Sequence, residues 1–211
     1  GLMTGLAVLM GKWLTRVFTG TQHALPERCT YRLLGIDPRE SMNWARYGSA
    51  LLLSNAAMML LGYFILRLQA VMPINPLGLA AQTPDLAFNT AVSFITNTNW
   101  QAYSGETSLS NFSQMAVITF LMCVGATSGV VAAAGFIRGL SRSSSGDIGN
   151  FWVDFTRTLY RVMLPLCVGM ALVYVWQGMP QTFASQALAT TLEGAQQQLI
   201  VGAVEIGRAH V

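Results

Sequence analysis

Three runs of apolar residues decide what this chain can fold into. Residues 49–66 read SALLLSNAAMMLLGYFIL, residues 115–137 read MAVITFLMCVGATSGVVAAAGFI, and residues 159–176 read LYRVMLPLCVGMALVYVW. A helix needs about 20 mostly apolar residues to cross a hydrocarbon core about 30 Å thick, and each run is long enough. A fourth run, 2–11, is short as it stands. Because residue 1 is Gly, 1–18 is expected to be part of a membrane helix that a longer gene product completes. A signal peptide is the rival reading, but Lys12 and Arg16 follow the apolar run, whereas a signal's charges precede it. Only 10% of the residues are charged and 53% are hydrophobic, against about a quarter charged in soluble chains. A soluble enzyme is excluded by three spanning segments.

The basic residues give orientation. Lys12, Arg16, Arg28, Arg32, Arg39 and Arg46 cluster in 12–46, and Arg138, Arg142, Arg157 and Arg161 in 138–161. Residues 68–112 and 177–204 carry no Lys or Arg. Positive flanks stay cytoplasmic, so 19–46 and 138–158 are expected inside and 68–112 and 177–204 outside, with one crossing per run. The net charge of +3 is then a topology signal, with contact to membrane lipid as a second role and no nucleic-acid partner. Cys123 and Cys167 lie in apolar runs and read as packing residues. His23 stands alone in a polar loop and reads as no metal ligand. The patterns Gly125–Gly129 and Gly135–Gly139 allow close helix packing, and Pro165 is expected to bend the last helix. Ser54 and Asn55 face either a neighbouring helix or a pore. Thr127 and Ser128 either line a cavity or bond between helices.

Residues 83–113, TPDLAFNTAVSFITNTNWQAYSGETSLSNFS, form the most unusual stretch. Thr83 suits a helix cap, Pro84 the first helical position and Asp85 the positive helix end. Leu86, Ala87, Ala91, Val92, Phe94 and Ile95 follow with helical spacing, which stops at Thr96 or Asn97. About 12 residues make about 18 Å of helix, roughly half a membrane. One reading is a segment that dips into the membrane and returns, with the carbonyls of Thr96, Asn97, Thr98 and Asn99 lining a wet cavity. The other is an amphipathic surface helix followed by an external loop.

The run NTAVSFITNTNWQAYSGETSLSNFSQM, 89–115, resembles the first filter region of the potassium-transporting ATPase A subunit family. So do YRLLGIDPRESMNWARY at 31–47, GNFWVDFTRTLYRVMLPL at 149–166 and TLEGAQQQL at 191–199. The resemblance covers essentially all of 11–204. It implies an all-α polytopic membrane protein built from the helix–re-entrant pore loop–helix repeat of the potassium transporter superfamily. In these terms 1–18 is a partial N-terminal transmembrane helix, 19–48 a cytoplasmic loop, and 49–140 the first complete unit, with a pore helix at 84–96 and a filter at 96–101. Residues 141–150 are a flexible cytoplasmic linker, and 151–204 begin a second unit. The last residues, EIGRAHV, back-translate into the start of a common sequencing-library adapter, so 205–211 are expected to be translated adapter.

The resemblance also implies roles. Asn97, Thr98 and Asn99 would offer oxygens to potassium. Thr96, Trp100, Gln101, Gly105 and Glu106 would support the filter, Gln101 tuning affinity or orienting its neighbours and Trp100 buttressing the loop. Glu106 would either attract cations at the outer mouth or accept backbone amides in the turn at Gly105. No Gly lies inside TNTNWQ, so Asn and Thr stand where other loops use Gly. The implied function is the potassium-binding, ion-selecting and translocating subunit of an ATP-driven uptake complex in the bacterial inner membrane. Its transported ion is potassium. Its implied partners are a catalytic P-type ATPase subunit and two small accessory subunits. The chain has no Gly-rich phosphate loop with a Lys and no DKTG-like phosphorylation site, so by itself it is read as neither an enzyme nor an ATP binder. The other readings are a stand-alone channel or symporter subunit of the same superfamily, and a membrane scaffold.

Overall fold

The computed structural model describes residues 1–141, 146–178, 187–190 and 196–199. Arg142 and residues 205–211 lie outside them, as does most of 177–204. The described chain is mostly helical: α1 Leu2–Thr19, α2 Leu25–Leu34, α3 Trp44–Arg67, α4 Pro84–Ile95, α5 Gly105–Ser108, α6 Asn111–Ser141 and α7 Phe151–Trp176. With 24, 31 and 26 residues, α3, α6 and α7 are long and apolar enough to cross a membrane. They carry the three apolar runs.

Two short strand pairs accompany the helices. Strand β1 (Met42–Asn43) pairs antiparallel with β2 (Asp147–Gly149), and β3 (Ala187–Thr190) with β4 (Gln196–Leu199). Backbone that leaves a helix must find other partners, and here it finds a second strand. Hence the end of the expected flexible linker 141–150 is ordered. Likewise 19–48, read as a loop, contains α2 and β1.

The chain forms two compact units, Gly1–Ser54 with Thr127–Val168 and Asn55–Ala126 with Gly169–Val211. In the first, Met42, Tyr47, Val131 and Phe151 form a buried core, with the Tyr47 ring edge-on to Phe151 at 5.7 Å. Asn150 caps α7, its Oδ1 accepting from the backbone N–H groups of Trp152 (3.0 Å) and Val153 (3.3 Å). The amide of Asn150 donates to the carbonyls of Asp37 and Glu40 at 3.1 and 3.0 Å. Gly149 has φ +114°, and a Cβ there would lie 2.5 Å from Arg138 Nη1, so only glycine fits. The two basic segments read as lying on one side of a membrane are thus joined by hydrogen bonds.

Charge in this unit is buried and paired. Asp154, 3% exposed, takes both Nη atoms of Arg138 and a hydrogen bond from Tyr47 Oη at 3.0 Å. Glu27, fully buried, takes Arg161 through both oxygens, with Nη2 to Oε2 at 2.8 Å. Glu27 Oε2 also accepts the N–H of Ala24 at 3.0 Å and so holds the first turn of α2. His23 is not alone, as its sequence context suggested. It packs edge-on to Tyr31 at 5.3 Å, with Nδ1 3.8 Å from Glu27 and 3.5 Å from Arg157. Burial pushes Tyr31 up to about 12, helped by Glu27.

Before Pro165 the helix widens into a π turn, Leu159–Met163, in which the Leu164 N–H reaches the carbonyl of Leu159. Pro165, which supplies no N–H, follows this π turn by two residues, and a second π turn, Gln114–Thr119, opens α6 with no proline near it. Cys167 is exposed on this helix and Cys123 is half-buried on α6. The Ser54 hydroxyl donates to Leu51 O of its own helix at 3.0 Å.

In the second unit, Gly62 brings α3 against α6, since a Cβ there would lie 2.9 Å from Leu121 Cδ1. The connection after α3 is shaped around two amides. Asn75 donates to the carbonyls of Gln69 and Leu79 at 3.3 and 2.9 Å and accepts the Leu79 N–H at 2.9 Å. Gln69 is fully buried. It donates to Ala80 O (2.5 Å) and Ser108 O (3.0 Å), and accepts from Ser110 N–H (3.3 Å) and Ser113 Oγ (3.1 Å).

Two outcomes follow from the charge pairing. Asp154→Ala leaves Arg138 without its carboxylate and should cost the full-length protein about 3–5 kcal/mol. Arg46→Ala, which breaks the exposed pair with Glu40, should cost about 0–1 kcal/mol; denaturant unfolding compares them. Desolvation, then Arg157, holds His23 below its ordinary value of 6.5. The folded state therefore binds fewer protons than the unfolded chain as pH falls through that value, and stability declines with it. Thermal midpoints between about pH 7.5 and 5.5 should fall more steeply for the native protein than for His23→Gln.

Candidate functional site

The site is built from the end of α4. The helix runs over the expected residues: Thr83 is extended, Pro84 opens the helix and Thr96 closes it. The Thr83 side chain makes no capping bond, however; its carbonyl takes the Ala87 N–H at 2.9 Å. A face of small and apolar residues, Ala87, Thr90, Ala91, Phe94 and Ile95, is buried. Against its end lies α6, where Gly125 comes so close that a Cβ would be 2.7 Å from Ile95 O and 2.9 Å from Phe94 O. Of the small-residue patterns, Gly125 and Gly135 make such contacts, the latter against the Tyr47 ring, while Gly129 has open space. Thr127 and Ser128 are buried.

Beyond Thr96 the chain turns back on the helix. The N–H groups of Thr96 and Asn97 reach Val92 O (3.0 Å) and Phe94 O (3.2 Å). Those of Thr98 and Asn99 both reach Ser93 O, at 2.9 and 3.2 Å. The Trp100 N–H reaches Ser93 Oγ at 2.6 Å. The terminal carbonyls of α4, which a helix end leaves without intrahelical partners, are thus taken by loop amides. Asn97 and Asn99 achieve this with φ of +59° and +57°, the left-handed region that asparagine tolerates better than other side chains. These two residues supply the conformation that glycine usually gives.

The peptide bonds are trans, and in a planar trans peptide the C=O points opposite to the N–H. Turning the N–H groups of 97–100 toward α4 therefore turns the carbonyls of Thr96, Asn97, Thr98 and Asn99 away from it. Among the described hydrogen bonds, none ends on these four oxygens. Asn99 Oδ1 is buried with no hydrogen-bond partner among the described residues. The Thr96 and Thr98 hydroxyls lie 3.0 Å apart. The result is a short run of uncharged oxygen acceptors and no fixed cation.

The flanking residues fall into place around it. Gln101 Nε2 donates to Tyr103 Oη at 3.3 Å, and Tyr103 Oη lies 3.0 Å from Thr90 Oγ1, so the outer limb is tied back to α4. Trp100 is held by its backbone, while its indole is 56% exposed. Gly105 opens α5, and its carbonyl accepts from Gln114 Nε2 at 3.3 Å. The side chain of Glu106 lies outside the described structure. Ser93 and Gln69 did not stand out in the sequence. Their signal is a lone hydroxyl in the apolar run AVSFI and a lone amide closing a long apolar block.

Gly125→Ala should push the end of α4 out of place, whereas Gly129→Ala meets nothing. The first should destabilise the full-length protein by about 1–3 kcal/mol; the second should leave its stability unchanged. Denaturant unfolding checks both.

The sequence model of the potassium-transporting ATPase A subunit family, KdpA, matches residues 1–208. A protein of Delftia acidovorans is 66% identical over 203 residues, covering 96% of this chain and 36% of the relative. Relatives from Methylobacterium radiotolerans and Rhodopseudomonas palustris are 48% and 47% identical over 209 residues, each covering 96% of this chain and 37% of the relative. All three are named potassium-transporting ATPase potassium-binding subunit. The chain spans just over a third of the length of these relatives.

Proposed function

Because the chain belongs to the potassium-transporting ATPase A subunit family, we propose that it is part of the potassium-binding, ion-selecting and translocating subunit of an ATP-driven potassium uptake complex. In this reading α4 is a pore helix of a re-entrant loop between α3 and α6, and residues 96–101 are the filter. The observation that carries the reading is the outward set of four carbonyls at Thr96, Asn97, Thr98 and Asn99. Rings of such dipoles replace the water shell of a potassium ion. Their neutrality lets the ion enter and leave.

The subunit accepts external potassium at this loop and passes it to a catalytic P-type ATPase subunit, which supplies the ATP chemistry. Two small accessory subunits complete the complex in the bacterial inner membrane. The exposed apolar surfaces of α3 and α7, with Leu52, Leu53, Leu172 and Val175 among the exposed side chains, suit contact with lipid or with further membrane helices.

Substitution in the full-length subunit tests this. Asn99→Ala and Gln101→Ala should each raise the potassium half-saturation of transport by about tenfold or more, or admit rubidium and similar ions. Unchanged kinetics in both would remove the filter assignment.

A further inference from the structure

We propose that Ser93 is a positioning residue that sets potassium-versus-rubidium discrimination by fixing the direction of the Asn99 carbonyl; the proposal rests on the filter reading above. Ser93 is 7% exposed and receives three successive loop amides. Its carbonyl takes those of Thr98 and Asn99, an arrangement any residue at this place could reproduce. Its hydroxyl takes that of Trp100 at 2.6 Å, which only a side chain with an acceptor in this position can do. The N–H of Trp100 and the C=O of Asn99 belong to one rigid planar unit. Holding one end holds the other.

Among the described residues, no hydrogen bond ends on the Asn99 carbonyl at the other end of this peptide. Asn99 stands at φ +57°, where the left-handed backbone is sparsely populated and persists only when neighbours enforce it. The Trp100 indole is exposed and Asn99 Oδ1 is unpartnered among the described residues, so neither side chain holds the plane. With the hydroxyl gone, the Trp100 N–H loses its acceptor and the peptide is free to rotate. The oxygen nearest the outer end of the filter then no longer has one position. Fixed oxygen separations are one basis on which ions of different radius are told apart, so discrimination should fall together with affinity.

The test uses the complete transport complex with Ser93→Ala, Ser93→Thr and, as a reference, Asn99→Ala. The quantities read are the half-saturation for potassium and for rubidium, the maximal rate, and the yield of assembled complex. Ser93→Ala is expected to raise the potassium half-saturation by about tenfold, the equivalent of one lost hydrogen bond. It should narrow the potassium-to-rubidium ratio and leave maximal rate and assembly near normal. Ser93→Thr, which keeps the hydroxyl, should restore the ratio. If Ser93→Ala changes only yield or maximal rate while Asn99→Ala shifts the ratio, the role of Ser93 is structural and the proposal is overturned with the filter reading intact. If neither substitution moves the ratio, the filter reading itself fails and the proposal with it.

Discussion

A backbone amide buried away from water must find an acceptor, and in this chain that requirement shapes the regions between the long helices. The loop after α4 meets it by folding back on Val92, Ser93 and Phe94. The connection after α3 meets it through the side chains of Asn75 and Gln69, which act as surrogate backbone. Even the left-handed Ile74, an uncommon state for a β-branched residue, offers its carbonyl to the Phe112 N–H at 3.4 Å. What the filter candidate presents is the complement of this rule. With the N–H groups of 96–100 turned toward the helix, the carbonyl oxygens between them face the other way.

The first unit obeys the same rule with charges. Removing a carboxylate or a guanidinium from water is costly unless the two are paired and further hydrogen-bonded, and Asp154 and Glu27 each combine a two-pronged arginine contact with an additional donor. Arg157 departs from the pattern. It is 5% exposed, reaches Val17 O and His23 Nδ1 at 3.5 Å, and its Nε has no partner among the described residues. The paired groups join 12–46 to 138–161, so the arginines that report topology in the sequence also hold the unit together.

The membrane-spanning helices were legible because hydrocarbon thickness imposes a length on any apolar run, and α3, α6 and α7 contain the residues expected. The end of α4 was legible to within a residue because the apolar period breaks where TNTN begins. Less was readable where a residue's role depends on a partner distant in sequence. The pairing of Met42 with Gly149 spans more than a hundred residues, and neither segment is long enough to show a strand period. Thr83 looked like a cap because its type and place were right, yet its side chain makes no capping bond. His23 looked solitary because Tyr31, Glu27 and Arg157 reach it only in three dimensions. At the candidate site, composition could mark where α4 gives way to a polar loop. Its left-handed asparagines and the convergence of three amides on Ser93 are properties of backbone geometry, and no local pattern encodes them.

The use of Asn97 and Asn99 in place of glycine has a consequence for how the loop is ordered. Glycine reaches a left-handed backbone easily but gives up more conformational freedom on folding than any other residue. Asparagine starts from fewer accessible states and still tolerates the same φ. Two asparagines within three residues therefore make a loop that surrenders less entropy on folding than a glycine-rich one. On the proposed filter reading, such a loop would be preorganised: its oxygens would stand in place before an ion arrives, and binding free energy would not be spent on arranging them.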